Sequence, residues 1–184
     1  MSQSNNFPQL TTQRLILRRL RMEDAPEVLL LRSDERVNEF LDRPKTLTIH
    51  DAEVFIEKIE IAVNKNESAY WAISLKENDV LIGTICLYNF IKERSLAEIG
   101  YELMPEFQSR GLMQEVVEKI IEYGFETLEL NTITAVPDAG NARSIGLLRK
   151  NGFKADSNFE YCESDLPTNY LVYFLNRPGT PPSL

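Results

Sequence analysis

Apolar and polar residues alternate along residues 96–103, with Ala97, Ile99, Tyr101 and Leu103 on one side and Glu98, Gly100 and Glu102 on the other. That period of two predicts a strand. Pro105 has no N–H to give to a ladder and ends it. From Leu112 the period becomes that of a helix, with Leu112, Val116, Val117, Ile120, Ile121, Gly124 and Phe125 on one stripe. Strand, glycine-bearing turn and long helix therefore follow one another, and the rest of the chain supplies partners for them.

Upstream, residues 14–20 are β-rich, and residues 23–32 place Ala25, Val28, Leu29 and Leu31 at helical spacing with Pro26 in the first turn. A short helix is expected over 36–41, closed by Pro44. Thr48 and Asp51 have the spacing of a capping box. The helix they open is expected to turn Val54, Phe55, Ile59 and Val63 inward and Glu57, Lys58 and Glu60 outward. Residues 69–75 and 80–88 read as antiparallel strands around the polar turn 76–79. Downstream, the β-branched segment 132–136 should lie parallel to 96–103 through a right-handed crossover. Asn141 is placed to cap a helix that stops at Asn151-Gly152, and segments 153–162 and 169–175 close the sheet as an antiparallel pair. One domain is expected over 1–184, with its core in residues 10–175 and loose tails at 1–9 and 176–184.

Charge narrows the partners. Twenty Lys and Arg against 28 Asp and Glu leave a net charge of −8, which argues against nucleic acid or an anionic membrane as partner. It suits an amine acceptor, and equally it suits plain solubility. Cys86 and Cys162 sit in apolar strand contexts without metal spacing and read as free thiols of a reducing compartment. With a polar stretch over 1–8 and no apolar run of membrane length, the expected location is the cytoplasm.

Backbone N–H groups, the positive end of a helix dipole, Arg110 and Gly111 meet at the turn before Leu112, a suitable place for an anion such as a pyrophosphate. An ordinary strand-to-helix turn with a permissive glycine reads the same way. A second segment, 141–153, changes the balance: Asn141, Ser144, Leu147, Lys150, Gly152 and Phe153 fit the pattern N-x-x-S-x-x-L-x-x-K-x-G-F. With Gln108 and Gly111 in the pattern Q/R-x-x-G-x-G/A, the chain resembles the GNAT superfamily of acetyl-coenzyme A-dependent N-acetyltransferases. The opening Thr12-Gln13-Arg14-Leu15-Ile16-Leu17-Arg18, followed by Glu23-Asp24-Ala25, is similar to the RimJ/RimL branch, which includes ribosomal-protein N-terminal acetyltransferases.

The resemblance implies an α/β GNAT fold: a mixed, twisted sheet of about seven strands, split after its central strand, with helices on both faces. It implies acetyl-CoA as cosubstrate and no metal. Backbone amides across Gln108, Ser109, Arg110, Gly111, Leu112, Met113 and Gln114 would hold the pyrophosphate, and the strand edge at Leu103 and Met104 would pair with the pantetheine arm. Asn141 and Ser144 would border the same coenzyme. Met113 departs from the family's small residue, and Leu148 stands where many members carry a tyrosine acid. The first candidate base is Glu98, followed by Glu102 and Glu160; the remaining candidate acid is Ser144, with Tyr101 and Tyr161 behind it. His50 reads as a surface residue and Trp71 as core or pocket lining.

An α-amine with a pKa of about 7.8 is partly neutral at pH 7, whereas a lysine near 10.4 needs a strong base. Of these, the RimJ/RimL resemblance implies a protein N-terminal α-amine as the favoured acceptor. The alternatives are a polyamine or antibiotic amine, or a non-catalytic acyl-CoA-binding module. The oligomeric state, a homodimer included, stays open.

Overall fold

The computed structural model describes residues 7–155 and 169–179. Within them one mixed sheet of eight strands runs in the order β1-β2-β3-β4-β5-β6-β8-β7. The strands are β1 (Leu10–Thr11), β2 (Leu15–Arg19), β3 (Ala69–Leu75), β4 (Asn78–Ile91), β5 (Leu96–Leu103), β6 (Thr132–Ala135), β7 (Lys154–Ala155) and β8 (Tyr173–Asn176). The helices are α1 (Ala25–Ser33), α2 (Glu35–Asn38), α3 (Ile49–Asn64), α4 (Leu112–Glu126) and α5 (Ala142–Lys150). The sheet has one strand more than expected because Leu10 and Thr11 pair with Leu17 and Ile16.

Side-chain alternation on β3 divides the interior in two. Trp71 and Ile73 enter a core that α4 covers with Leu112, Val116, Val117 and Ile120. Tyr70 and Ala72 enter a second core on the other face, beneath Val28 and Leu31 of α1 and Ala52 and Ile56 of α3. Helices thus lie on both faces of the sheet. Thr48 caps α3 through the expected box, accepting from Asp51 N at 3.1 Å while the Asp51 carboxylate accepts from Thr48 N at 2.9 Å. The buried stripe of α3 is Ala52, Ile56 and Val63, with Val54, Phe55 and Ile59 only half-buried. The helix is therefore rotated from its expected facing, and the small Ala52 lets α1 pack closely against it.

β4 and β5 are antiparallel from Gly83–Leu103 to Tyr88–Glu98, and at Gly83 an added Cβ would stand 2.4 Å from the Glu102 carbonyl oxygen. β5 and β6 are parallel, joined through α4, as the βαβ pattern predicts. The ends of the described residues are better fixed than the sequence suggests. Phe7 packs on Trp71 with ring centroids 5.2 Å apart, and the indole N–H donates to the Pro8 carbonyl at 2.9 Å. Asn176 belongs to β8, and Arg177 N donates to the Asn131 carbonyl at 2.8 Å. The closing pair is present as β7 and β8; the rest of the expected segment 153–162, with Glu160, Tyr161 and Cys162, lies outside the described residues.

Candidate active site

The site begins where β6 stops. Parallel pairing between β5 and β6 covers only Leu96–Thr132, Ala97–Ile133 and Glu98–Thr134. β5 continues to Leu103, so the sheet opens after Glu98. Met104 N donates to Ile82 O on the β4 side, so strand alternation turns the backbone groups of Tyr101 and Leu103 into the opening. The Leu103 carbonyl accepts there from Gln108 Nε2 at 2.8 Å, and Gln108 Oε1 accepts from Arg143 Nη1 of α5 at 2.9 Å.

The turn between β5 and α4 uses two left-handed residues, Ser109 at φ +60° and Gly111 at φ +73°. Gly111 is the N-cap of α4, and no side chain caps the helix, so its first-turn amides are presented to the cleft. Alternating backbone hand of this kind curls N–H groups inward into an anion-binding nest. Arg143 and Lys150 add positive charge along the lining. These features fit a pyrophosphate. Glu115, one turn into α4, anchors the helix to the first strands: burial pushes its carboxyl up, but donation from Thr12 and Arg14 outweighs this and holds it below the ordinary value.

The cleft encloses about 610 Å³ and runs from this turn and α5 to α2 and the residues just after it, Glu39, Phe40 and Leu41. That volume is in the range of small-molecule and cofactor sites. Across the opening, the Tyr101 hydroxyl of β5 lies 2.8 Å from Ser144 Oγ of α5. Burial pushes the Tyr101 phenol up to about 12, with the Ser144 hydrogen bond opposing, so the pair stays protonated at neutral pH. Asn141 caps α5 and accepts from Ser144 N at 3.0 Å, which fixes the serine's place in the first turn.

Of the twelve residues expected to hold the coenzyme or to serve as first-choice base or acid, nine line this one cleft: Leu103, Gln108, Ser109, Gly111, Leu112, Met113, Gln114, Asn141 and Ser144. Three do not. Met104 is buried in the core beneath α1 and α3. Arg110 is exposed, with its guanidinium 5.7 Å from the Phe107 ring centroid. Glu98 is 5 % exposed, and its carboxylate accepts from the Tyr88 hydroxyl at 2.5 Å and from Asn89 at 3.3 Å. The Tyr88 ring extends over Gly100, between Glu98 and Glu102. Glu102 does line the cleft, but Arg43 engages both of its oxygens at 2.5 and 2.7 Å. Leu148 is fully buried in the α4-side core. His50 is on the surface, and Trp71 is core, in tilted contact with Phe7 and edge-to-face with Tyr123.

Sequence reasoning missed the partnership of Tyr101 with Ser144 and, although the resemblance implies that the segment between the first strand and α3 walls the acceptor site, the particular residues that do so, Arg36, Val37, Glu39, Phe40 and Leu41. The first had a signal, a tyrosine interrupting the apolar face Ala97, Ile99, Leu103 just where the strand loses its neighbour. The second had none, because residues 36–41 follow no motif.

A model of the acetyltransferase (GNAT) domain matches residues 14–154. The uncharacterised N-acetyltransferase YoaA of Bacillus subtilis is 31 % identical over 175 residues, covering 94 % of this chain and 98 % of its own. Among solved structures, the ribosomal-protein-S5-alanine acetyltransferase from Vibrio fischeri superposes with a TM-score of 0.79 at 17 % identity, covering 95 % of this chain and all of that one. RimL, a ribosomal L7/L12 alpha-N-protein acetyltransferase solved with coenzyme A, gives 0.77 at 18 % identity, covering 92 % and 97 %. A split sheet, a nest before a long helix and a family match over most of the chain agree: the protein is an N-acetyltransferase and belongs to the GNAT family.

Proposed function

We propose that the protein moves the acetyl group of acetyl-CoA to the α-amine of a protein N-terminus. The observation that carries the choice of acceptor is the state of Glu102: it is the one half-buried carboxylate on the described lining, and Arg43 occupies both oxygens. A cleft whose half-buried carboxylate is already occupied, and whose proposed base is reached only through a tyrosine hydroxyl, suits an amine that sheds its proton near pH 7.8 better than one that holds it to about 10.4. RimL, which acts on an N-terminal α-amine, shares the fold and supports the same choice.

The coenzyme supplies an activated acetyl group. The amides of α4's first turn and of the Ser109–Gly111 nest would hold its pyrophosphate, and the open edge of β5 would pair with its pantetheine amides. Ser144 would protonate the departing thiolate while Tyr101 holds the serine and passes it a proton, which the phenol then regains from solvent in the cleft. A thiol with pKa near 8.5 asks only modest help, so two weak acids suffice. Glu98 is the proposed proton acceptor, reached through the Tyr88 hydroxyl that donates to it.

Thiol release from acetyl-CoA, measured across N-terminal peptides, lysine peptides, polyamines and aminoglycosides, tests the reading. Turnover confined to N-terminal peptides is expected. Turnover confined to lysines or small amines would overturn the acceptor, and coenzyme binding without turnover on any amine would favour the binding-module alternative.

A further inference from the structure

Behind Glu102 of the cleft lining, two arginines converge on one carboxylate. Arg43 Nη1 and Nη2 donate to the two oxygens of Glu102, and Arg32 Nη1 stands 3.7 Å from Glu102 Oε1. No other acidic side chain pairs with either guanidinium among the described residues. The cluster therefore carries one uncompensated positive charge. It is also held rigidly. Arg43 Nε donates to Asn38 Oδ1 at 2.9 Å, Arg32 Nε donates to Thr46 Oγ1 at 3.2 Å, and the Arg32 guanidinium lies 3.8 Å from the Phe55 ring centroid. Burial, and then the neighbouring Arg43, push the Arg32 guanidinium below its ordinary value, with Glu102 only partly offsetting them.

Two guanidiniums in low dielectric with one counter-ion are an expensive arrangement unless something completes it. Their side chains are 13 % and 16 % exposed behind Glu102, which itself lines the cleft, and both keep N–H groups that no acceptor among the described residues uses. Arg43 spends three of its five N–H donors on Asn38 and Glu102, and Arg32 spends one on Thr46. Planar guanidinium donors match a carboxylate. A polycation would meet repulsion at the same place. The excess charge also disfavours an ammonium beside it, so an acceptor anchored there would present its amine more readily in the neutral form.

We infer that the acceptor carries a carboxylate close to its reactive amine, and that Arg32 and Arg43, ordered by Glu102, receive it. This rests on the acetyl-transfer reading but makes a separate claim about charge. The carboxylate has two sources, an acidic side chain early in a peptide or the α-carboxylate of a free amino acid.

The test is equilibrium binding of acetylated products to the full chain saturated with coenzyme A, using N-acetyl-Ser-Asp, N-acetyl-Ser-Ala and N-acetyl-Ser-Lys tetrapeptide amides and N-acetylserine. The expected result is about tenfold or more tighter binding of the aspartyl peptide, or of N-acetylserine, than of the alanyl and lysyl peptides, with the preference weakening at high salt. Preference for the aspartyl peptide assigns the carboxylate to a side chain, and preference for N-acetylserine assigns it to a free amino acid. Arg32→Gln should bring the affinities together without altering coenzyme affinity, and Arg32→Lys should retain part of the preference. Should Arg32→Gln fail to fold, Arg32→Lys and the salt dependence still decide. Equal affinities, or preference for the lysyl peptide, would overturn the inference. Absence of thiol release with every amine would instead count against acetyl transfer, since the binding comparison does not depend on turnover.

Discussion

Ser144 and Tyr101 meet at 2.8 Å although 43 positions separate them in the chain. Ser144→Ala is expected to lower kcat by about tenfold to a hundredfold with little change in the KM for acetyl-CoA, at or below the low end of general acid catalysis because a thiolate asks only modest help. Tyr101→Phe should cost less, because the serine hydroxyl remains. Steady-state kinetics of both variants checks the order; equal losses would mean that the tyrosine itself faces the thiolate. Glu98→Gln is expected to reduce kcat by a similar factor at pH 7 and to approach the parent as pH rises past the acceptor amine's pKa, where no base is needed. A deficit that stays constant with pH would leave Glu98 as a structural partner of Tyr88. Residue types were legible in the sequence and their pairing was not. Glu98 stood out as the first candidate base, but nothing around it in the sequence reveals the tyrosine above Gly100. Arg43, in a stretch without periodicity, gave no sign that it would bind a carboxylate 59 residues away.

At the scale of elements, the strand–turn–helix of β5 and α4 was readable because each part obeys a local rule: alternation, proline stop, glycine at positive φ, apolar stripe. The facing of α3 was harder, since its apolar residues are spread broadly and α1 decides which of them are covered. Asn141→Ala tests whether α5 depends on its cap. It should cost about 1 kcal/mol in urea denaturation and lower kcat as well, because the same side chain positions Ser144. Gly83→Ala should destabilise by about 1–3 kcal/mol, since its methyl would collide with the Glu102 carbonyl and push the end of β5 that floors the cleft. Wild-type stability in that variant would mean that β4 and β5 separate easily.

For the whole molecule, two cores on opposite faces of one sheet were implied by alternating strands and amphipathic helices. The path of residues 36–47, which completes the far end of the cleft, was not. Buried acids connect the fold to pH. Burial raises the Tyr101 phenol and the Cys86 thiol to about 12, from ordinary values of 10.0 and 9.0, and the Glu102 carboxylate adds to the shift of the thiol. Above pH 9 the unfolded chain loses these protons first, so the folded state binds more protons and its stability must fall as pH rises toward 12. Urea midpoints should decline over that window, and Cys86→Ala should make the decline shallower.

The early end of β6 has a dynamic consequence. Amides of β5 beyond Glu98 that turn toward the opening have no strand beside them among the described residues, so in the free protein Tyr101 N–H should exchange with deuterium far faster than the amides paired to β4. A coenzyme arm lying in that place acts as a missing strand. Exchange at this edge should slow on saturation with acetyl-CoA, and the melting temperature should climb with coenzyme concentration as binding is drawn into folding.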